Sequence, residues 1–487
     1  MVATSRVQRY TDETIKLEDL TARAATILGK RPFPWQLEVA AAVLKGEDVI
    51  LDVGTGSGKT LCFCLPLLKD EKDISLIVSP LTALMIDQTK SAPIRTIAVC
   101  KETMQSLGPE KIYEVILEGQ FRQVIVSPEI ATSPEFRHKV LSKPEFYSNL
   151  RVVCIDEAHC ISLWGGNFRL EYGTLGMLRG RIPVKVPFIV ASATLPLHIL
   201  ADIRQQLHLS DNARTVSVTN ARPNVALSVR PMKHSEESKA DLAFVLPTHV
   251  ARSSDIPVQL VYCNTRLACE DVVDSIRSWL PTTIPPECIA FYHARIGEKR
   301  KREIERTLLE GEIRIVACTD AVGMGCDMRN IERVVLWGMP PSFCALVQRA
   351  GQAARDMTRL GEAVLIVPKK TLSGGVTEDD VVHTVGQIVL EAPFTGTEEE
   401  VPEGTALGDG REIVLVEEGG IRVGHAVEED IVSLVKVTKG KGKDKDSSGQ
   451  IHSLEAQTLT EFIITSNCRR KVWDKFFGNG KKRVSIN

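Results

Sequence analysis

Val49-Ile50-Leu51-Asp52-Val53-Gly54-Thr55-Gly56-Ser57-Gly58-Lys59-Thr60-Leu61-Cys62-Phe63-Cys64-Leu65 passes from a β-rich apolar run, through glycines, into an apolar helical stretch. Residues 54–60 carry the glycine-rich G-K-[ST] end of the phosphate-binding-loop pattern G-x-x-x-x-G-K-[ST], whose first position falls on Val53, in the strand-to-helix context that its chemistry requires. Glycines let backbone N–H groups wrap phosphate oxygens, and a helix N-terminus adds a field that favours their charge. Gly54, Thr55, Gly56, Ser57 and Gly58 thus form a cradle from which Lys59 reaches the β- and γ-phosphates of ATP and Thr60 ligates Mg²⁺. A merely structural turn would not need the lysine.

A second stretch, Asp156-Glu157-Ala158-His159-Cys160-Ile161-Ser162-Leu163-Trp164-Gly165-Gly166-Asn167-Phe168-Arg169-Leu170-Glu171-Tyr172, follows the apolar run 152–155. If that run is a buried strand, the two acids sit at its carboxyl end, where open α/β sheets place ligands. Asp156 would hold Mg²⁺ through its water shell, and Glu157 would orient the attacking water. The aromatic continuation suits nucleic acid, because bases stack on Trp164 or Phe168 without sequence preference and Arg169 can pair with phosphate. For Tyr172 a place in the core is an equal alternative.

The 487 residues suggest two to four domains, and 43% hydrophobic with 25% charged residues is ordinary for a soluble globular protein. With 60 Lys+Arg against 62 Asp+Glu, net charge does not point to nucleic acid, so any such contact must come from a local groove. Twelve cysteines without a C-x-x-C pair, and no secretory apolar run at the N-terminus, predict reduced thiols in an intracellular, soluble protein. The longest apolar stretch, near 61–68, is too short to cross a bilayer, so no membrane partner is expected.

Short apolar runs at 49–53, 74–79, 124–127, 152–155 and 188–191 alternate with helical segments, the pattern of a mostly parallel sheet. A second series lies at 258–263, 289–293, 313–318, 334–337 and 363–367, with Asn220-Ala221-Arg222-Pro223-Asn224 as the hinge between. The expected division is an N-terminal segment 1–24, α/β domains at 25–218 and 219–370, an acidic and low-complexity linker or insertion at 371–453, and a helical tail at 454–487. Within the insertion a hairpin is expected around Gly419-Gly420, and residues 439–449 read as linker.

In content and order these motifs resemble the RecQ branch of superfamily-two DNA helicases, over residues 30–370 with a trace near the C-terminus. Gln36 resembles the family's adenine-reading glutamine, and residues 79–88 and 126–129 its strand-end elements that touch the DNA backbone, although Leu81, Leu84 and Met85 suit core packing. Trp164, Phe168, Arg169 and Tyr172 match its aromatic loop, which couples single-stranded DNA binding to hydrolysis. Ser192-Ala193-Thr194 resembles the motif linking hydrolysis to domain movement. Residues 262–266 and 292–294 match further landmarks, and residues 319–327, from Thr319 to Asp327, resemble a motif contacting DNA and nucleotide from the second domain. The basic run 298–303 has helical i,i+4 charge spacing and reads as a solvated helix face.

Two departures stand out. Where the family has Q-x-x-G-R-x-G-R-D, residues 348–356 carry Gln352 for the first motif arginine and Ala354 for a glycine, while Arg355 is retained. A neutral glutamine cannot stabilise transition-state charge as arginine does, so slow turnover is expected and Gln352→Arg should raise it. Near the end, Cys468-Arg469-Arg470 resembles the start of the family's zinc element, but the later cysteines are missing and a complete zinc site is not predicted.

The resemblance implies two tandem RecA-like α/β domains with an ATP cleft between them and an ATP hydrolase that unwinds DNA 3′ to 5′. Its partners would be single-stranded and branched DNA, its setting recombination and repair, in the nucleus of a eukaryote or otherwise the cytoplasm. The alternative reading, drawn from Gln352 and the incomplete tail, is an ATP-gated DNA-binding module with little or no unwinding.

Overall fold

The apolar runs become two wholly parallel sheets joined by helices. The computed structural model describes residues 9–54, 56–80, 85, 89, 94–162, 170–322, 328, 330–381, 383–384, 412–417, 420–425 and 445–483. The first sheet contains β1 (Val49–Val53), β2 (Ile74–Val78), β3 (Thr96–Val99), β4 (Gln123–Val126), β5 (Leu150–Ile155), β6 (Phe188–Ser192) and β7 (Arg214–Val218). Their order is β3-β4-β2-β5-β6-β1-β7, every pairing parallel. Every residue of β1, β2, β5 and β6 is buried, which is why these strands read as mostly apolar runs rather than alternations.

The second sheet holds β8 (Val225–Pro231), β9 (Gln259–Tyr262), β10 (Ile289–Tyr292), β11 (Ile315–Cys318), β12 (Arg333–Trp337) and β13 (Gly361–Val367) in the order β10-β11-β9-β12-β13-β8. The sequence reading missed β3, β7 and β8, all three at sheet edges. β7 and β8 are partly exposed and carry polar residues, so neither presents a continuous apolar run. The basic run 298–303 lies in the helix Glu298–Glu310, where Arg300 pairs with Glu303 at 2.9 Å, as a solvated face should. The hairpin expected at Gly419-Gly420 forms between β14 (Glu412–Glu417) and β15 (Gly420–His425).

One correction concerns the tail. The run 439–449 reads as linker, yet a helix already begins within it and spans Lys445–Ile464. Asp446, Ser447 and Ser448 look like linker residues, but acidic and hydroxyl side chains also suit a helix start. A second helix, Arg469–Phe477, and a turn at Asn479–Lys481 complete the tail.

This tail touches both lobes. Phe343 of the second lobe lies 5.5 Å from Phe462, 5.0 Å from Phe476 and 6.3 Å from Phe477, ring centre to ring centre. Glu455 accepts the Phe343 backbone N–H at 2.7 Å and faces His198 of the first lobe at 3.4 Å. Lys482 forms a buried ion pair with Asp52 of β1 at 2.5 Å, and Arg483 pairs with Glu38 at 2.6 Å. Arg483 also bridges to Val218, adding a short parallel contact at the β7 edge. At the hinge, Asn220 accepts from Trp473 Nε1 at 3.0 Å and from Asn479 Nδ2 at 2.9 Å.

Candidate active site

Strand order brings the chemistry together. β1, β6 and β5 are adjacent, so the loops leaving their carboxyl ends carry residues 54–60, 192–194 and 156–159 to one edge of the sheet. Lys59 opens the helix Lys59–Cys64, and Gly58 before it has φ +85°, a left-handed turn suited to glycine. The Lys59 ammonium donates to the Val53 carbonyl at 3.1 Å. Gln36 is buried; its Oε1 accepts the Phe33 N–H at 2.8 Å and its Nε2 donates to the Gly58 carbonyl at 3.0 Å, fastening the upstream helix to the loop. Thr60 is exposed, and Thr55 lies outside the described residues.

Asp156 follows β5 directly, its backbone N–H donating to Val78 at 2.9 Å and its carboxylate accepting the Glu157 N–H at 3.0 Å. Burial, and then the neighbouring Glu157 charge, push its carboxyl up to about 6. Glu157 takes φ +49°, a conformation uncommon for a side chain of its size and of the kind that clusters at working sites. Burial would raise its carboxyl too, but His159, Lys59 and Arg355 hold it down at about 2. The charges around it thus favour the carboxylate, a form suited to orienting a water.

His159 Nδ1 faces Ser192 Oγ at 2.9 Å and Glu157 Oε2 at 3.3 Å. Burial alone would lower this imidazole; contact with Cys160 and Glu157 outweighs that and carries it up to about 10. Ser192 Oγ also accepts the Thr194 N–H at 3.2 Å, so the residues 192–194 are wired to the acid pair through one histidine. Tyr172 resolves to the core: it is fully buried, and its hydroxyl donates to the Asp156 carbonyl at 3.1 Å. Trp164, Phe168, Arg169, Asp327, Leu81 and Leu84 lie outside the described residues, while Met85 is buried as its packing reading expects.

From the second lobe, the charge of Arg355 helps to lower the Glu157 carboxyl. Its Nη2 donates to Gln352 Oε1. Thr319 follows β11, its N–H donating to the Tyr292 carbonyl at 3.2 Å. Residues of the stretches 262–266, 319–327 and 348–356 to which no individual role was assigned complete this wall: Arg349 is buried, grips Asp320 with two bonds of 2.7 and 2.8 Å, and reaches Asn264 Oδ1 at 3.0 Å. Ala354 has φ +42° and is fully buried, which accounts for the glycine the family places there. Ala354→Gly is expected to stabilise the chain by about 0.5–1 kcal/mol, because left-handed backbone costs alanine more than the added freedom of glycine in the unfolded chain. Calorimetry checks it; a lower melting temperature would mean that the packing of the methyl group outweighs the strain.

The DEAD/DEAH box helicase family matches residues 33–203, and the helicase conserved C-terminal domain matches residues 244–357. Human ATP-dependent DNA helicase Q4 is 30% identical over 343 residues, 68% of this chain and 28% of the relative. Probable ATP-dependent DNA helicase RecS of Bacillus subtilis is 30% identical over 323 residues, 66% of this chain and 61% of the relative. The chain carries both helicase domains and is similar to the RecQ-type helicases of superfamily two. It spans 28% and 61% of those two relatives' lengths. Among solved structures, the DUF1998 helicase MrfA bound to DNA superposes with a TM-score of 0.58 at 23% identity, covering 75% of this chain and 52% of that one. That likeness is one of fold, and it fits the paired parallel sheets.

Among the described residues the cysteines are unpaired and, except for Cys468, buried. None of the described helices is long and apolar enough to cross a membrane. No group of three or more His, Cys, Asp or Glu side chains suited to a metal occurs among the described residues. A magnesium ion needs less from the protein, commonly one or two carboxylates beside substrate phosphates, and the oxygen donors of Asp156 and Thr60 fit that hard cation.

Proposed function

We propose that this chain is an ATP-dependent DNA helicase in which ATP sits between the two lobes. The observation that carries the reading is the convergence of Lys59, Asp156, Glu157, His159 and Ser192 at the carboxyl ends of β1, β5 and β6, with His159 joining Glu157 to Ser192. In this reading residues 54–60 cradle the phosphates, Lys59 leaves the Val53 carbonyl for them, Gln36 reads adenine, and Asp327 contributes from the second lobe. Asp156 and Thr60 would hold Mg²⁺, which neutralises phosphate charge. Glu157 aims the water, Arg355 stabilises charge that builds on the γ-phosphate, and His159 passes the state of the site to Ser192 and Thr194. ATP then favours closed lobes and its loss favours open ones, so differential DNA affinity yields steps.

The division at 25–218, 219–370, 371–453 and 454–487, movement 3′ to 5′, single-stranded and branched DNA as partners, and a nuclear or cytoplasmic setting in repair and recombination all belong to this proposal. A second reading, an ATP-gated DNA-binding module without unwinding, draws on Gln352 and Ala354. ATP hydrolysis measured with single-stranded DNA, with matched RNA and with neither tests both; no DNA stimulation would reject the helicase. In the same assay Trp164→Ala is expected to reduce the DNA-stimulated rate far more than the basal rate, since it removes a stacking platform worth about 1–3 kcal/mol per base. Equal loss of both rates would instead assign Trp164 to the core.

A further inference from the structure

Arg222 lies in the hinge between β7 and β8 and is 7% exposed. Its guanidinium donates from Nη1 to the Gly351 carbonyl at 2.8 Å and from Nη2 to the Ala353 carbonyl at 2.9 Å, with a further bond to the Ala354 carbonyl. Asn224, two residues on, donates to the Ala354 carbonyl at 2.9 Å and to the Arg359 carbonyl at 2.9 Å. The hinge is itself held, because Arg470 of the tail donates to the Arg222 and Val225 carbonyls. Three carbonyls in the turn immediately before Arg355 thus point at one planar fork, and that turn passes through the left-handed residue Ala354.

We propose that Arg222 is a positioning residue for Arg355: by holding the carbonyls of residues 351–354 it fixes the turn from which Arg355 reaches toward Glu157 and the terminal phosphate of ATP. The inference rests on the nucleotide reading above. The fork caps the end of the helix Phe343–Ala350 at Gly351 and, through the Ala353 and Ala354 carbonyls, ties down the turn that follows it. A lysine would retain the charge but could not span the carbonyls, since an ammonium lacks the fork. A loop that drifts by about 1 Å can cost a hundredfold in a positioned reaction.

The test uses the full chain with Mg²⁺, comparing affinities for ADP and for ADP with aluminium fluoride, which mimics the terminal phosphate in flight, in wild type, Arg222→Lys, Arg355→Ala and the double variant. Competition against a fluorescent nucleotide gives both affinities without needing turnover. Arg222→Lys is expected to leave ADP affinity within about threefold and to lower the aluminium fluoride preference at least tenfold, with no further loss when added to Arg355→Ala. Multiplicative losses in the double variant, or an unchanged preference in Arg222→Lys, would overturn the proposal. Arg222→Gln, which keeps part of the hydrogen bonding without charge, is expected to retain more of the preference than Arg222→Lys; the reverse order would mean that charge, not the fork, matters. A wild type that binds no ADP at all would instead reject the nucleotide reading itself.

Discussion

Glutamine in place of Glu157 is expected to lower ATP turnover by about two to four orders of magnitude while ATP affinity stays close to that of the wild type. The carboxylate stands in a left-handed turn, held ionised by His159, Lys59 and Arg355. An amide of the same shape would keep the position and lose the charge that aligns a water. Lys59→Ala should fail differently, losing phosphate binding itself, because that ammonium is the group at the start of the helix after the cradle. A nucleotide titration run beside the hydrolysis assay separates the two. Turnover by Glu157→Gln at the wild-type rate would remove the residue from the water-orienting role.

Removal of the Arg355 side chain should be at least as damaging, with hydrolysis lowered by about three to five orders of magnitude, the range known for arginines supplied to phosphoryl transfer. Its partner sharpens the experiment. Sequence reasoning expects Gln352→Arg to restore a missing charge, yet Gln352 Oε1 accepts a hydrogen bond from Arg355. A second guanidinium there would replace an acceptor with a like charge, and a hydrogen bond to a charged group is worth about 1.5–3 kcal/mol. Gln352→Arg is therefore expected to slow hydrolysis about tenfold or more. Steady-state rates of Arg355→Ala and Gln352→Arg check both statements; a faster Gln352→Arg would show that the chain lacks a cation after all.

Much of this was legible in the primary structure for a physical reason. Strands buried on both faces, such as β1 and β5, are apolar except where a buried charge finds a partner, as Asp52 and Arg151 do, and a loop that cradles phosphate is rich in glycine, so burial and chemistry both left marks. Lys59, Asp156 and Glu157 were read in this way. Contacts that depend on backbone carbonyls left none: nothing in Asn220-Ala221-Arg222-Pro223-Asn224 announces that Arg222 will meet residues 351–354, since a carbonyl acceptor has no residue identity. Edge strands were lost for the opposite reason, because half-exposed residues in β7 and β8 need not be apolar. Tyr172 carried two compatible readings, a base platform or a core residue, and only its buried hydroxyl on Asp156 decided between them.

The tail's grip on the first lobe also bears on the order in which the chain can be completed. Arg483 and Glu38 meet although they are 445 residues apart in sequence. A ribosome adding about 5–20 residues each second needs roughly 20–90 s to make that much chain. For most of this interval β7 is the bare edge of the first sheet, and an unpaired edge is a template for another chain. Only when the Thr219 N–H can donate to the Arg483 carbonyl, and the Arg483 N–H to Ser217, is that edge partly closed. Until residue 483 has been made, the first lobe carries this edge without that contact, and the segment that supplies it is one the finished sheet hardly includes.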